Sequence, residues 1–156
     1  MRPVPPLVTL ATALALVAGC APKPPSAAEM VAAAEALDRA YVDAFNRDDA
    51  DALMANYWKS PDLVSIGLDG SVARGWDNVS ADWHASMDGF PESRLELLEP
   101  QNVVVGDVVM GWGRWRITAP SDSGPPEVLE GPYTDIKALR DGRWVRVMDH
   151  ASVPQP

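Results

Sequence analysis

The chain has 156 residues, with 22 Asp and Glu against 13 Lys and Arg, a formal net charge of −9 and only two histidines and one cysteine. The length suits one domain with a real core. An acidic chain without a basic stripe argues against nucleic acid and against electrostatic adhesion to anionic lipid. One thiol excludes an intrachain disulfide, and two histidines at no ligand spacing give no basis for a metal site or another cofactor.

Residues 1–19 are read as a secretory signal peptide. Arg2 precedes an apolar run from Leu7 to Ala18, which is shorter than the roughly 20 residues a stable span needs. The following Val17-Ala18-Gly19-Cys20 resembles the lipobox of bacterial lipoproteins. That resemblance implies cleavage before Cys20 and its acylation with palmitate-type chains. More than one acyl chain is required for stable anchoring. The expected location is therefore the bacterial envelope, membrane-bound through Cys20, with residues 20–26 as a Pro-rich tether.

The domain is expected to span 27–153, leaving 154–156 as a tail. Ser26 and Glu29 have capping-box spacing. Met30, Ala34, Leu37, Tyr41 and Phe45 then recur at helical intervals, with Glu35, Asp38 and Asp43 off that stripe. Asp48 or Asp49 caps a shorter helix running to Trp58. Short strands flank the turn at Leu68-Asp69-Gly70. Val79, Trp83 and Met87 mark a third helix that stops at Gly89. From Ser93 the pattern becomes strand, with turns at Gly106-Asp107, at the Ser121–Pro126 loop and at Asp141-Gly142, the strongest hairpin signal. Gly111 and Gly113 would permit a bend or bulge in the long middle strand. Three helices followed by antiparallel strands make an α+β domain in which a curved sheet wraps the helices and encloses a cone-shaped cavity.

This order, with AYVDAFNRDDADALMANYW, GSVARGWDNVSADW and YTDIKALRDGRWVRVMDHAS, resembles the nuclear-transport-factor-2-like superfamily, in its SnoaL-like and ketosteroid-isomerase-like bacterial branch. The resemblance covers about residues 28 to 153. It implies the cone fold and a homodimer, but no single activity, since the scaffold hosts isomerases, dehydratases, cyclases and association domains. Ketosteroid isomerases pair an Asp base with an oxyanion hole of a Tyr and a protonated Asp. By resemblance Tyr41 stands at the oxyanion tyrosine and Asp135 at the protonated Asp. The base position falls on Ser65, which cannot take a proton unaided.

Strand alternation places Tyr133, Asp135, Lys137 and Leu139 on one face. It also places Trp144, Arg146, Met148 and His150 opposite Val145, Val147 and Asp149. Asp135 either lines the cavity or pairs with an Arg or Lys on a neighbouring strand. His150 either meets Asp135 as a proton-transfer pair or sits hydrogen-bonded near a sheet end. Asp149 is expected to lie outside the pocket. The six tryptophans suggest aromatic walls. Trp115 and Trp144 read as packing residues, and Tyr57, Trp58, Trp83, Trp112 and Tyr133 as candidates to line a ligand site. Three functions remain open: a binder of a small apolar molecule; an isomerase, dehydratase or cyclase using Tyr41, Asp135 and His150; and a dimeric association module for a partner protein.

Overall fold

The computed structural model describes residues 23–121 and 123–153. The signal peptide, Cys20 and the last three residues lie outside the described residues. Helix α1 (Ala27–Phe45) opens with the expected capping box: Glu29 Oε2 accepts the Ser26 N–H at 2.7 Å, and Ser26 Oγ accepts the Glu29 N–H at 3.3 Å. Met30, Ala34, Asp38, Ala44 and Phe45 face the interior. Asp38 was expected off the apolar stripe, yet it follows Ala34 by one i+4 step and is only 6% exposed.

Asp49 caps α2 (Ala50–Met54), its Oδ1 accepting the Ala52 N–H at 2.9 Å. This helix stops short of the expected Trp58. The Trp58 N–H donates to the Arg146 carbonyl at 2.9 Å and the Arg146 N–H to the Asn56 carbonyl at 2.8 Å. Sheet pairing therefore takes the chain out of helix before Tyr57. Strands β1 (Val64–Ile66) and β2 (Val72–Arg74) form a hairpin before α3 (Trp76–Gly89).

Strands β3 (Arg94–Val105), β4 (Val108–Ala119), β5 (Glu127–Arg140) and β6 (Arg143–Ala151) complete a six-stranded sheet, ordered β2-β1-β6-β5-β4-β3. Neighbours are antiparallel except β1 and β6. Asp141 and Gly142 both have positive φ, 52° and 78°, which is the two-residue turn that matches strand twist.

Two bulges shape the concave face. One lies in β3 between Leu98 and Gln101, opposite Gly113 of β4, one of the two glycines that permit a bend or bulge there. The other lies in β6. Ile136 pairs with Met148 but Lys137 with Arg146, leaving Val147 unmatched. A bulge of one residue reverses side-chain parity beyond it. Asp149 consequently shares the concave face with Arg146, and His150 is turned to the convex face.

The main core joins Phe45, Leu53, Met54, Tyr57, Leu63, Val79, Met87, Leu95 and Trp115. Met30, Ala34 and Val109 form a smaller cluster against Val104 and Trp144. Trp115 and Trp144 are thus packing residues.

Candidate functional site

The concave face carries charge where a sheet over helices would ordinarily be apolar. Lys137 Nζ donates to Asp38 Oδ1 at 2.9 Å and to Asp135 Oδ1 at 2.8 Å. It also donates to Asn102 Oδ1 at 3.0 Å. Arg146 Nη2 donates to Asp38 Oδ1 at 2.6 Å and its Nε to Asp135 Oδ2 at 3.1 Å. Asn102 Nδ2 donates to Asp38 Oδ2 at 3.1 Å. Lys137 is fully buried and Arg146 and Asp135 are each 3% exposed. Two cations and two carboxylates balance in charge, which is what makes their removal from water tolerable. The cost of desolvation means that such a cluster specifies the arrangement of its strands more than it adds stability.

Gly111, on β4 opposite Asp135, makes room for this cluster. A Cβ there would overlap Asp135 Oδ1 and come within 2.6 Å of Lys137 Nζ and 3.1 Å of Asn102 Oδ1.

A second group lies alongside. The Arg146 guanidinium sits 4.3 Å from the centroid of the Tyr41 ring. Tyr41 stands edge-on to Tyr57 and Trp83, at 6.3 and 5.8 Å between centroids, and Trp83 stands edge-on to Phe45 at 6.4 Å. Tyr57 Oη donates to Asp149 Oδ2 at 2.6 Å. Asp149 also faces Asp135 across β5–β6 and Ser65 across β1–β6.

Burial pushes the Asp149 carboxyl above the usual carboxylate range, and the Tyr57 and Ser65 hydroxyls and the Arg146 charge offset this only in part. Burial, then the Asp149 charge, raises both the Tyr41 and the Tyr57 phenols. Three buried polar atoms of this face have no hydrogen-bond partner among the described residues: Tyr133 Oη, Arg146 Nη1 and Asp149 Oδ1. Burial raises the Tyr133 phenol as well, with Asp38 and Asp135 adding to it.

The expected site residues therefore divide. Tyr41, Tyr57, Trp83 and Tyr133 border this face. Asp135 reaches it, but both its oxygens are engaged by Lys137 and Arg146. His150 does not: it pairs with Thr134, while Asp149 occupies the place opposite Asp135, so no Asp135–His150 pair forms. Trp112 is outside, 43% exposed on the convex face. Trp58 is outside too, its ring 5.5 Å from the Arg140 guanidinium. Asp149, expected to face away, is turned inward by the Val147 bulge.

The concave face is thus not an open apolar hollow: its floor is ionic. Among the described residues, two surface depressions lie elsewhere. One of about 600 Å³ runs between α1 and β3 beside Ala27, Val31 and Val104. The other, about 350 Å³, lies beside Lys59 and Trp76.

Ser80, His84 and Asp51 offer the residue types of a catalytic triad on α2 and α3. His84 Nδ1 contacts the Ser80 carbonyl at 2.8 Å and Nε2 lies 3.3 Å from Asp51 Oδ1. A carbonyl can only accept, so Nδ1 must carry the proton and donate it there. His84 then has no free nitrogen with which to activate Ser80, and the trio links two helices. Its imidazole is raised above the usual range by the Ser80 carbonyl first and the Asp51 carboxylate after it.

A SnoaL-like domain matches residues 39–147, which contain every group of the concave face except Asp38 and Asp149. The chain belongs to the SnoaL-like family. A candidate dehydratase of the NTF2-like family from Streptomyces avermitilis is 18% identical over 84% of this chain and 100% of its own, with a TM-score of 0.75. An uncharacterised protein with a cystatin-like fold from Caulobacter vibrioides is 19% identical, covering 82% and 92%, with a TM-score of 0.69. A candidate calcium/calmodulin-dependent protein kinase type II association domain from Thiobacillus denitrificans is 21% identical, covering 78% and 94%, with a TM-score of 0.67. No curated protein matches this chain. At these identities the SnoaL-like family shares its cone fold, not an activity, with such neighbours.

Proposed function

We propose that the concave face of this SnoaL-like chain is a small-molecule site at which Asp149 exchanges a proton with the ligand. The observation that carries this reading is that Asp149 lies beside the balanced ion cluster without being hydrogen-bonded or ion-paired into it. Its carboxylate accepts from the neutral Tyr57 phenol, it faces the neutral Ser65 hydroxyl across β1–β6, and its acidity is suppressed by burial. A carboxyl in that state is suited to general acid–base work. Phe45 and Trp83 favour an apolar ligand body, while Arg146 Nη1 and Tyr133 Oη would donate to an oxygen such as a carbonyl. The ligand's polar end is neutral, since the fixed charges already balance. Isomerisation, dehydration and cyclisation all fit such proton transfer.

Cyclic enones titrated against tryptophan emission test the reading. Wild type should respond saturably, and Asp149→Asn and Tyr57→Phe should bind less tightly. No response to any such probe in wild type would remove the proposal.

The raised Asp149 acid also fixes the sign of a pH effect. The folded chain holds this proton more readily than the unfolded chain. Asp149 therefore contributes downward slope to stability as pH rises from the ordinary carboxylate value through its raised value. Urea midpoints across that window should fall less steeply in Asp149→Asn than in wild type.

A second reading concerns assembly and location. Val103, Val105, Met110 and Trp112 are 42–49% exposed on the convex face, a surface suited to a second copy of the chain. Sedimentation at micromolar concentration should give a dimer that Trp112→Glu weakens; a wild-type monomer would oppose this. Export and anchoring through Cys20 complete the proposal, on the lipobox resemblance. Membrane fractions should lose the protein in Cys20→Ser, and retention would count against the anchor. Among the described residues no helix is long and apolar enough to cross a membrane.

A further inference from the structure

Strand β6 ends at Ala151, paired with Tyr133, and the chain then turns across the concave face. The Ser152 N–H donates to the Pro132 carbonyl at 3.2 Å. The Trp115 indole N–H donates to the same carbonyl, also at 3.2 Å. Gly131 points its missing side chain at this crossing: a Cβ there would overlap the Ser152 carbonyl oxygen and approach Trp115 Cζ2 to 3.0 Å. Val153 lands on the main core, whose buried members include Trp115 and Tyr133.

We propose that Ser152–Val153 is a strap closing the mouth of the cone, which must lift for a ligand to reach Tyr133 and Asp149. Three features of the fold support it. The strap covers the part of β5 next to Tyr133, whose hydroxyl is one of the unpartnered buried atoms. It lies at the Tyr133 end of the β5–β6 pairing, away from the Lys137–Arg146 pair of the ion cluster. Its hold is light beside that of β6, which is zipped to β5 from Arg143 to Ala151. A segment held, among the described residues, mainly by one backbone hydrogen bond and one half-buried valine can open while the sheet stays closed. Its purpose rests on the small-molecule reading above, but its opening can be measured without any ligand.

Amide hydrogen exchange on the intact chain is the first test. The Ser152 amide should exchange about tenfold or more faster than the amides of the β5–β6 ladder, the ratio set by one net hydrogen bond of local stability. Equal protection of Ser152 and the ladder would mean that the strap opens only when the protein unfolds, and would overturn the proposal. The second test is a chain ending at Ala151, with the Trp115 indole proton followed by NMR. Its exchange with water should rise by a similar factor, and an unchanged rate would count equally against the strap. If the shortened chain fails to fold, the exchange result on the intact chain decides. Cyclohexenone binding separates the two readings. If binding to the intact and shortened chains has the same association rate, there is a site but no gate. A strap that opens on a chain binding no enone leaves the gate standing and the site refuted.

Discussion

Gly111→Ala should be among the most damaging single substitutions in this protein, although it adds one methyl group to an extended strand. The new Cβ would occupy space held by the Asp135 carboxylate and the Lys137 ammonium. Neither can retreat, because both are buried and each is held by further partners: Arg146 on Asp135, and Asp38 and Asn102 on Lys137. Overpacking a tight interior costs about 1–3 kcal/mol. Breaking a buried ion pair so as to strand a charge costs about 3–5 kcal/mol. The expected loss is about 3–5 kcal/mol, a large part of the roughly 5–15 kcal/mol that holds such domains folded. Urea denaturation checks it, with Gly89→Ala as the control, since a Cβ there meets nothing within 4 Å. A Gly111→Ala midpoint equal to wild type would mean that the cluster is looser than the distances between its members imply.

Lys137→Met should cost a similar amount for a different reason. The methionine fills most of the volume, but Asp38 and Asp135 are left to share Arg146 alone. One buried carboxylate is then uncompensated, at about 3–5 kcal/mol. Removing a carboxylate as well should recover much of this, so Lys137→Met with Asp38→Asn is expected to be more stable than Lys137→Met alone. A double-mutant cycle on urea midpoints measures the coupling. Strict additivity of the two substitutions would show that the pair does not act as a unit. The concave face would then have to be described as separate hydrogen bonds.

The sequence made much of the framework legible because local chemistry and the final fold agree there. Ser26 with Glu29, Asp49, and Asp141-Gly142 each satisfy or turn the backbone locally, and each performs that role in the structure. The candidate site was harder to read. Asp38 fits the i+4 series of Met30 and Ala34, but a carboxylate at a core position reads as solvent-facing until its cation is known. That cation comes from strands about a hundred residues later. Asp135 with Lys137 did carry a usable signal, since two opposite charges at alternate positions of a mostly apolar strand must lie on one face. Asp149 carried none. Its orientation depends on Val147 being the unmatched residue of β6, and nothing in RWVRVMDHA marks that valine for a bulge.

The placement of β6 has an effect on how the molecule comes into being. This strand is made after the other five of the sheet but lies inside it, joining the β1–β2 hairpin to the β5-β4-β3 meander. A ribosome-bound chain lacking it has two disconnected half-sheets and an ion cluster short of Arg146. Nascent chains stalled before Arg143 should be protease-sensitive throughout, and a resistant fragment would oppose this. The concave face is therefore completed in one late step, when β6 bridges the two half-sheets and brings Arg146 to the waiting carboxylates.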